Sequence, residues 1–182
     1  DGGSRDATVG RAQAAGALVL VERRRGYGQA CLAGARQALA DGAEIIAFMD
    51  GAGAEDPAEL VALLAPIADE SADLVLGARQ AVERGALRPV QRLGNRLATT
   101  LIWHRHGHRY ADLGSMRAIR ADALRRLDQQ ETGHGWPVEM QLRALACGLR
   151  ISEVPISYRK RRAGKSKVSG NWRGALRAGA DL

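Results

Sequence analysis

Glu44-Ile45-Ile46-Ala47-Phe48-Met49-Asp50-Gly51-Ala52-Gly53-Ala54-Glu55-Asp56-Pro57 is the stretch around which the chain is organised. Ile45 to Met49 is a short apolar run and reads as a buried parallel strand. It ends on a carboxylate, Asp50. A glycine-broken turn follows, and Asp56-Pro57 starts a helix, with Asp as N-cap and Pro at the first helical position. In open α/β sheets, ligands bind just beyond the carboxyl ends of strands. A carboxylate at that point can hold a metal bound to a phosphorylated ligand.

Working outward, the pattern alternates. Ser4 or Asp6 can cap a helix to Ala15, closed by Gly16. Ala17 to Val21 is a short apolar strand. A basic glycine loop, Arg23-Arg24-Arg25-Gly26-Tyr27-Gly28, leads into a helix from Gln29 to Ala40. After the opening stretch, Leu60, Val61, Leu63, Leu64 and Ile67 mark the buried face of a helix from Ala58 to Asp69. Asp73 to Gly77 is a second buried strand, and Gln80 to Pro89 a polar loop. Val90 to Arg105 is helical, with Leu93, Leu97, Leu101 and Ile102 at helix spacing. Ala111 to Met116 reads as a turn, Arg120 to Leu127 as a short helix, and Trp136 to Cys147 as a helix ended by Gly148. Leu149 to Val154 is a strand, followed by an extended Ile156-Ser157-Tyr158. Short apolar strands alternating with helices predict an α/β sheet with parallel strands.

The 182 residues make one domain of ordinary size, or part of a larger one. Lys plus Arg total 27 against 20 Asp plus Glu, so the chain carries +7 and favours an anionic partner. The charge is concentrated in Arg159, Lys160, Arg161, Arg162, Lys165 and Lys167. Aromatic residues are only 4%, which leaves little for base stacking and argues against a nucleic-acid partner. Cys31 and Cys147 lie in separate helical patterns and read as reduced core residues of a cytosolic protein. No apolar run reaches the ~18 residues of a membrane span.

Six segments carry a resemblance. Asp1-Gly2-Gly3-Ser4-Arg5-Asp6-Ala7-Thr8, Arg25-Gly26-Tyr27-Gly28-Gln29-Ala30 and Phe48 to Pro57 are three of them. The others are Asp73-Leu74-Val75-Leu76-Gly77-Ala78-Arg79, Asp112-Leu113-Gly114-Ser115-Met116-Arg117, and Tyr158-Arg159 through Gly164-Lys165-Ser166-Lys167. Each motif alone is weak, but together, in this order, they resemble family 2 glycosyltransferases of the GT-A fold. The closest branch is the dolichyl-phosphate mannosyltransferase-like polyprenyl-phosphate sugar transferases. The resemblance implies a Rossmann-like sheet with helices on both faces, a catalytic domain over 1–170, and a basic amphipathic segment from 171 to 182. It implies a sheet lacking its first strand or strands, because the chain opens inside a family motif, and hence a fragment of marginal stability.

The resemblance also implies an activity: inverting transfer of a sugar from a UDP- or GDP-linked donor to a polyprenyl or dolichyl phosphate, assisted by Mg2+ or Mn2+. The expected setting is cytoplasmic and peripheral, at the inner face of an anionic membrane. By resemblance, Asp1, Arg25, Gly26, Asp50 and Gly51 contact the donor, and Asp50 also the metal. Asp50, Asp112 and Glu139 are the catalytic candidates. Arg117, Arg159, Arg161, Ser166 and Lys167 are the acceptor or phosphate contacts, with Gly164 letting the basic loop move as a lid. A phosphate acceptor is already anionic near neutral pH, so Glu139 need not be a strong base. One departure stands out: the family's second aspartate is Ala52 here, and position 54 is also alanine. A single carboxylate lowers the expected metal affinity. Glu55 could substitute, whereas Asp56 is committed as a helix cap. The alternative is a degenerate or truncated relative that binds nucleotide or anionic lipid without catalysis. His104, His106 and His108 fall at a helix end and read as a solvated terminus suited to the helix dipole; His134 has no evident partner.

Overall fold

The computed structural model describes residues 1–161. Helix α1 (Thr8–Ala14) and helix α2 (Tyr27–Ala40) precede strand β1 (Ile45–Phe48). A single 3-10 turn, Pro57–Glu59, runs into α3 (Leu60–Ala68), which is followed by β2 (Leu74–Ala81) and α4 (Pro89–His106). Then come β3 (Arg117–Arg120), α5 (Ala121–Leu127), α6 (Trp136–Ala146) and β4 (Ile151–Tyr158).

The four strands form one sheet in the order β1-β3-β2-β4. β2 and β4 pair in parallel from Leu74↔Ile151 to Ala81↔Tyr158. β3 runs antiparallel to both its neighbours, with Phe48↔Arg117 and Leu76↔Arg117 in register. β1, β2 and β4 therefore point the same way, and their carboxyl ends share one edge with the start of β3.

The alternation of side chains along β2 builds two cores. Leu74 and Leu76 face one side, with Ile46, Ile119, Trp136, Met140 and Leu127; α2, α5 and α6 cover that face. Val75 faces the other, with Leu63, Ile67, Met116, Ala118 and Ile156, under α3. Gly77 is small because a Cβ there would stand 2.6 Å from Ile156 Cδ1.

Several expectations change. Ile45 to Phe48 shares its direction with the other two long strands, but its hydrogen-bonded partner is the antiparallel β3 and not a parallel neighbour. Met49 lies beyond the strand and is 40% exposed. Among the described residues β1 is the sheet edge, half-buried at Ile45 and Phe48, buried at Ile46 and exposed at Ala47. Ala17 to Val21 joins no ladder. Its bonds are local to the chain start, Asp1 N to Leu20 O at 2.6 Å and Glu22 N to Asp1 O at 2.9 Å, and Leu18 and Val21 are exposed. β3 is a strand the sequence pattern does not announce, because arginines occupy both its ends. In α4 the leucine spacing is helical as expected, yet only Ile102 of the four apolar residues faces the core. Among the described residues no helix is long and apolar enough to cross a membrane.

Candidate active site

The shared carboxyl edge of β1, β2 and β4 opens into a cavity of about 450 Å3. β1 delivers Asp50, Gly51 and Ala52. β2 delivers Arg79, and the end of β4 delivers Tyr158 and Arg161. Leu113 and Ser115 come from the segment entering β3, Tyr27 from the start of α2, Gln91 from α4, His134 from the approach to α6, and Pro137 and Val138 from its first turn. The placement follows the strand-end rule for α/β sheets.

Asp50 is oriented from two sides. Its Oδ1 accepts from Tyr27 Oη at 3.3 Å, and its backbone N donates to Glu55 Oε2 at 3.1 Å. Burial, and then the Asp50 carboxylate, push the Tyr27 phenol above its ordinary pKa, so Tyr27 remains a donor. Glu55 is itself buried, and its Oε1 accepts from Ser115 Oγ at 2.6 Å. Burial raises the Glu55 carboxyl above its usual range, against the hydrogen bonds that lower it. Its backbone also bridges to Tyr158. One residue thus links the exits of β1 and β4 to the entry of β3, through its side chain to Asp50 and Ser115 and its backbone to Tyr158.

Asp112 is engaged by Arg79. Its Oδ2 accepts from Arg79 N at 3.1 Å and Nε at 2.6 Å, and its Oδ1 from Nη2 at 2.9 Å. The Arg79 guanidinium also lies 5.3 Å from the Tyr158 ring centroid. Burial works to lower the Arg79 pKa, but Asp112 outweighs it and the net shift is upward, so this cation is permanent.

The remaining candidates are placed as follows. Arg117 is fully buried under Trp136 and does not line the cavity. It donates to Ser115 O at 3.3 Å, Pro137 O at 2.9 Å and Gly114 O, tying the β3 entry to the start of α6. Glu139 sits in the first turn of α6, as expected, but its oxygens accept from Gln130 N at 3.0 Å, Glu131 N at 2.8 Å and Arg143 Nε at 2.7 Å. It fastens the preceding loop and is not a cavity wall. Asp1 folds its carboxylate over Gly3 N and Ser4 N, and exposed Arg25 is outside the cavity lining as well. Gly26 is needed for close approach: at φ +151° a Cβ there would collide with Thr132 O. Arg159 is exposed and its backbone N donates to Ala54 O at 2.8 Å. Ser166, Lys167, Gly164 and the 171–182 segment lie outside the described residues.

Tyr27, Arg79 and Ser115 line the cavity without standing out in the sequence, although each lies inside one of the six resembling segments. His134 finds its partner here, stacked on Tyr27 with ring centroids 6.0 Å apart.

The donor set does not fit a cation site built by the protein. Among the described residues no three His, Cys, Asp or Glu side chains gather. Of the acids in 50–56, only Asp50 lines the cavity. Glu55 is turned inward, and Asp56 accepts from Ala58 N at 3.1 Å as the cap of the 3-10 turn. Ala52 presents a methyl to the same cavity.

The sequence profile described as "Glycosyl transferase family 2" matches residues 1–128. The chain belongs to glycosyl transferase family 2. This family 2 domain is 39% identical over 182 residues to an uncharacterized glycosyltransferase of Mycobacterium tuberculosis, covering all of this chain and 82% of that one. It is 33% identical over 156 residues to an undecaprenyl-phosphate mannosyltransferase of Micrococcus luteus, covering 80% of this chain and 61% of that one. Among solved structures, glucosyl-3-phosphoglycerate synthase of Mycobacterium tuberculosis superposes with a TM-score of 0.74 at 21% identity, over 99% of this chain and 65% of that one. A second structure of that enzyme, holding Mn2+, UDP and glucosyl-3-phosphoglycerate, gives a TM-score of 0.73 at 22% identity. The family 2 domain therefore has the GT-A fold, and relatives of that fold bind a divalent metal and a nucleotide.

Proposed function

We propose that this family 2 domain transfers a sugar from a UDP- or GDP-linked donor to a polyprenyl phosphate, with inversion at the sugar carbon. The observation that carries the reading is the convergence of Asp50, Arg79, Ser115 and Arg161 on one cavity at the carboxyl edge of the sheet. The donor's nucleoside and diphosphate lie along the β1 and β2 exits. Asp50, held by Tyr27, accepts from donor hydroxyls, with the Gly51 turn beside it. Arg79, aligned by Asp112, and Arg161 face the phosphates. The acceptor phosphate oxygen attacks the anomeric carbon from the opposite side, and the nucleoside diphosphate leaves. That oxygen is already anionic, so no residue must remove a proton from it. Arg117 and Glu139 act at one remove: Arg117 holds the 114–115 segment, whose Ser115 lines the cavity, and Glu139 holds the 130–131 loop that leads to His134. Arg25 and Arg159 adjoin Tyr27 and Tyr158 in the chain, and with Asp1 they serve in this proposal as outer contacts to donor and acceptor.

The acceptor class draws on relatives named for undecaprenyl phosphate and polyprenol. The outer surface of α4 supports a membrane-side setting. Val90, Leu93, Leu97 and Leu101 are 54–63% exposed, at helix spacing, on the side away from buried Thr99 and Ile102. Residues 84–111 contain arginines at 84, 88, 92, 96, 105 and 109 and no acid. An apolar stripe with flanking cations suits an anionic lipid surface.

A second reading, nucleotide binding without turnover, is favoured by the Ala52 methyl. Transfer of labelled sugar from UDP- and GDP-sugars into undecaprenyl phosphate in anionic vesicles, with Mg2+ or Mn2+, separates the two. Labelled lipid with the natural chain supports transfer. Labelled lipid only with Ala52→Asp refutes transfer by this chain and leaves binding.

A further inference from the structure

The acids between residues 50 and 56 leave one carboxylate for any ligand. Glu55 is 5% exposed and holds both Ser115 Oγ and Asp50 N, Asp56 caps Ala58 N, and Ala52 offers only a methyl. A cation bridging a diphosphate to the protein is gripped through protein oxygens. Among the described residues the grip would rest on Asp50 alone, whose Oδ1 already accepts from Tyr27.

The same wall supplies positive charge of its own. Asp112 engages Arg79 through Nε and Nη2, two of the five N–H groups of a guanidinium, so the pair fixes the side chain without exhausting its donors. Arg161 stands at the cavity rim and is exposed. Guanidinium groups match phosphate oxygens in pairs, and a pre-aligned one loses little freedom on binding.

We propose that the cavity binds a nucleoside diphosphate through Arg79 and Arg161, with no requirement for a divalent cation. The proposal rests on reading this cavity as the donor site. It sets this chain apart from the structural relative solved with Mn2+ and UDP together.

Calorimetric titration of UDP and of GDP into the full chain, first in EDTA and then in MnCl2, tests it. The expected dissociation constants in the two buffers agree within about threefold. Arg161→Ala, a substitution at an exposed position, weakens binding about fivefold or more in both buffers. Ala52→Asp, which adds a second carboxylate, makes binding at least about tenfold tighter in Mn2+ than in EDTA. Natural-chain binding about tenfold or more tighter in Mn2+ would overturn the proposal while keeping the donor site. Unchanged affinity in Arg161→Ala would also overturn it. No binding of either nucleotide in either buffer, by a chain that is folded by circular dichroism, overturns the donor-site reading and the proposal with it.

Discussion

Arg117 was expected at the phosphate, and the structure gives it a different task that can be measured. Its side chain is completely buried, and among the described residues no carboxylate accepts from it; three backbone carbonyls do, those of Gly114, Ser115 and Pro137. Burial pulls its pKa down, while the phenol and carboxyl groups around it pull the other way. Arg117→Met keeps most of the volume and removes the donors. The carbonyl of buried Gly114 and the part-buried carbonyls of Ser115 and Pro137 then lose their guanidinium donor, at about 1–3 kcal/mol each. Removing a buried cation returns several kcal/mol of desolvation, so the net loss is about 3 kcal/mol. For a urea slope of about 2 kcal/mol per M, the unfolding midpoint drops by about 1.5 M. Under native conditions nucleotide affinity changes by less than about threefold, since the guanidinium never reaches the cavity. A midpoint shift below about 0.3 M together with lost nucleotide binding would refute the reasoning and return Arg117 to the ligand.

Two further outcomes follow from the geometry. Gly28 is buried, and a Cβ there would come within 2.7 Å of Thr132 C and closer still to the Glu131 carbonyl oxygen; Gly28→Ala lowers stability by about 2 kcal/mol in thermal or urea melts, because backbone and not a flexible side chain must yield. Hydrogen bonds from Arg150 hold Asp73 down to about 2, from an ordinary 3.8. Its contribution is therefore complete above pH 3.8 and is lost as pH falls towards 2; the half-exposed arginine limits it to about 1 kcal/mol, and Asp73→Asn removes that acid-side slope from the stability profile.

How much of this could be read beforehand depends on what each residue's neighbours are. The opening stretch announced a strand, a carboxylate at its end and a capped helix, and all three are present, because each is a local matter of period, turn and cap. Its pairing was not legible: β3 lies between β1 and β2, and Arg117-Ala118-Ile119-Arg120 hides its strand character behind two arginines. Arg117 escaped for the same reason, since a buried cation satisfied by carbonyls leaves no acidic partner to find in the sequence. The sequence places Glu139 at a helix start, but two of the three N–H groups it accepts from belong to a loop eight and nine residues upstream.

Arg79 is the instructive case. It ends the Asp73–Arg79 motif, yet its task emerges only when Asp112, 33 positions away, closes on it across the cavity edge. The same closure changes the meaning of Asp112. A carboxylate that accepts three hydrogen bonds from one arginine is a poor candidate for abstracting a proton, and a phosphate acceptor asks for no such step. On the proposed donor-site reading the cavity needs fixed positive charge facing a diphosphate, and an arginine aligned by a buried aspartate supplies that without reorganisation. The Ala52 departure and the Arg79–Asp112 pair therefore bear on one question: which charge at this strand edge answers the leaving group.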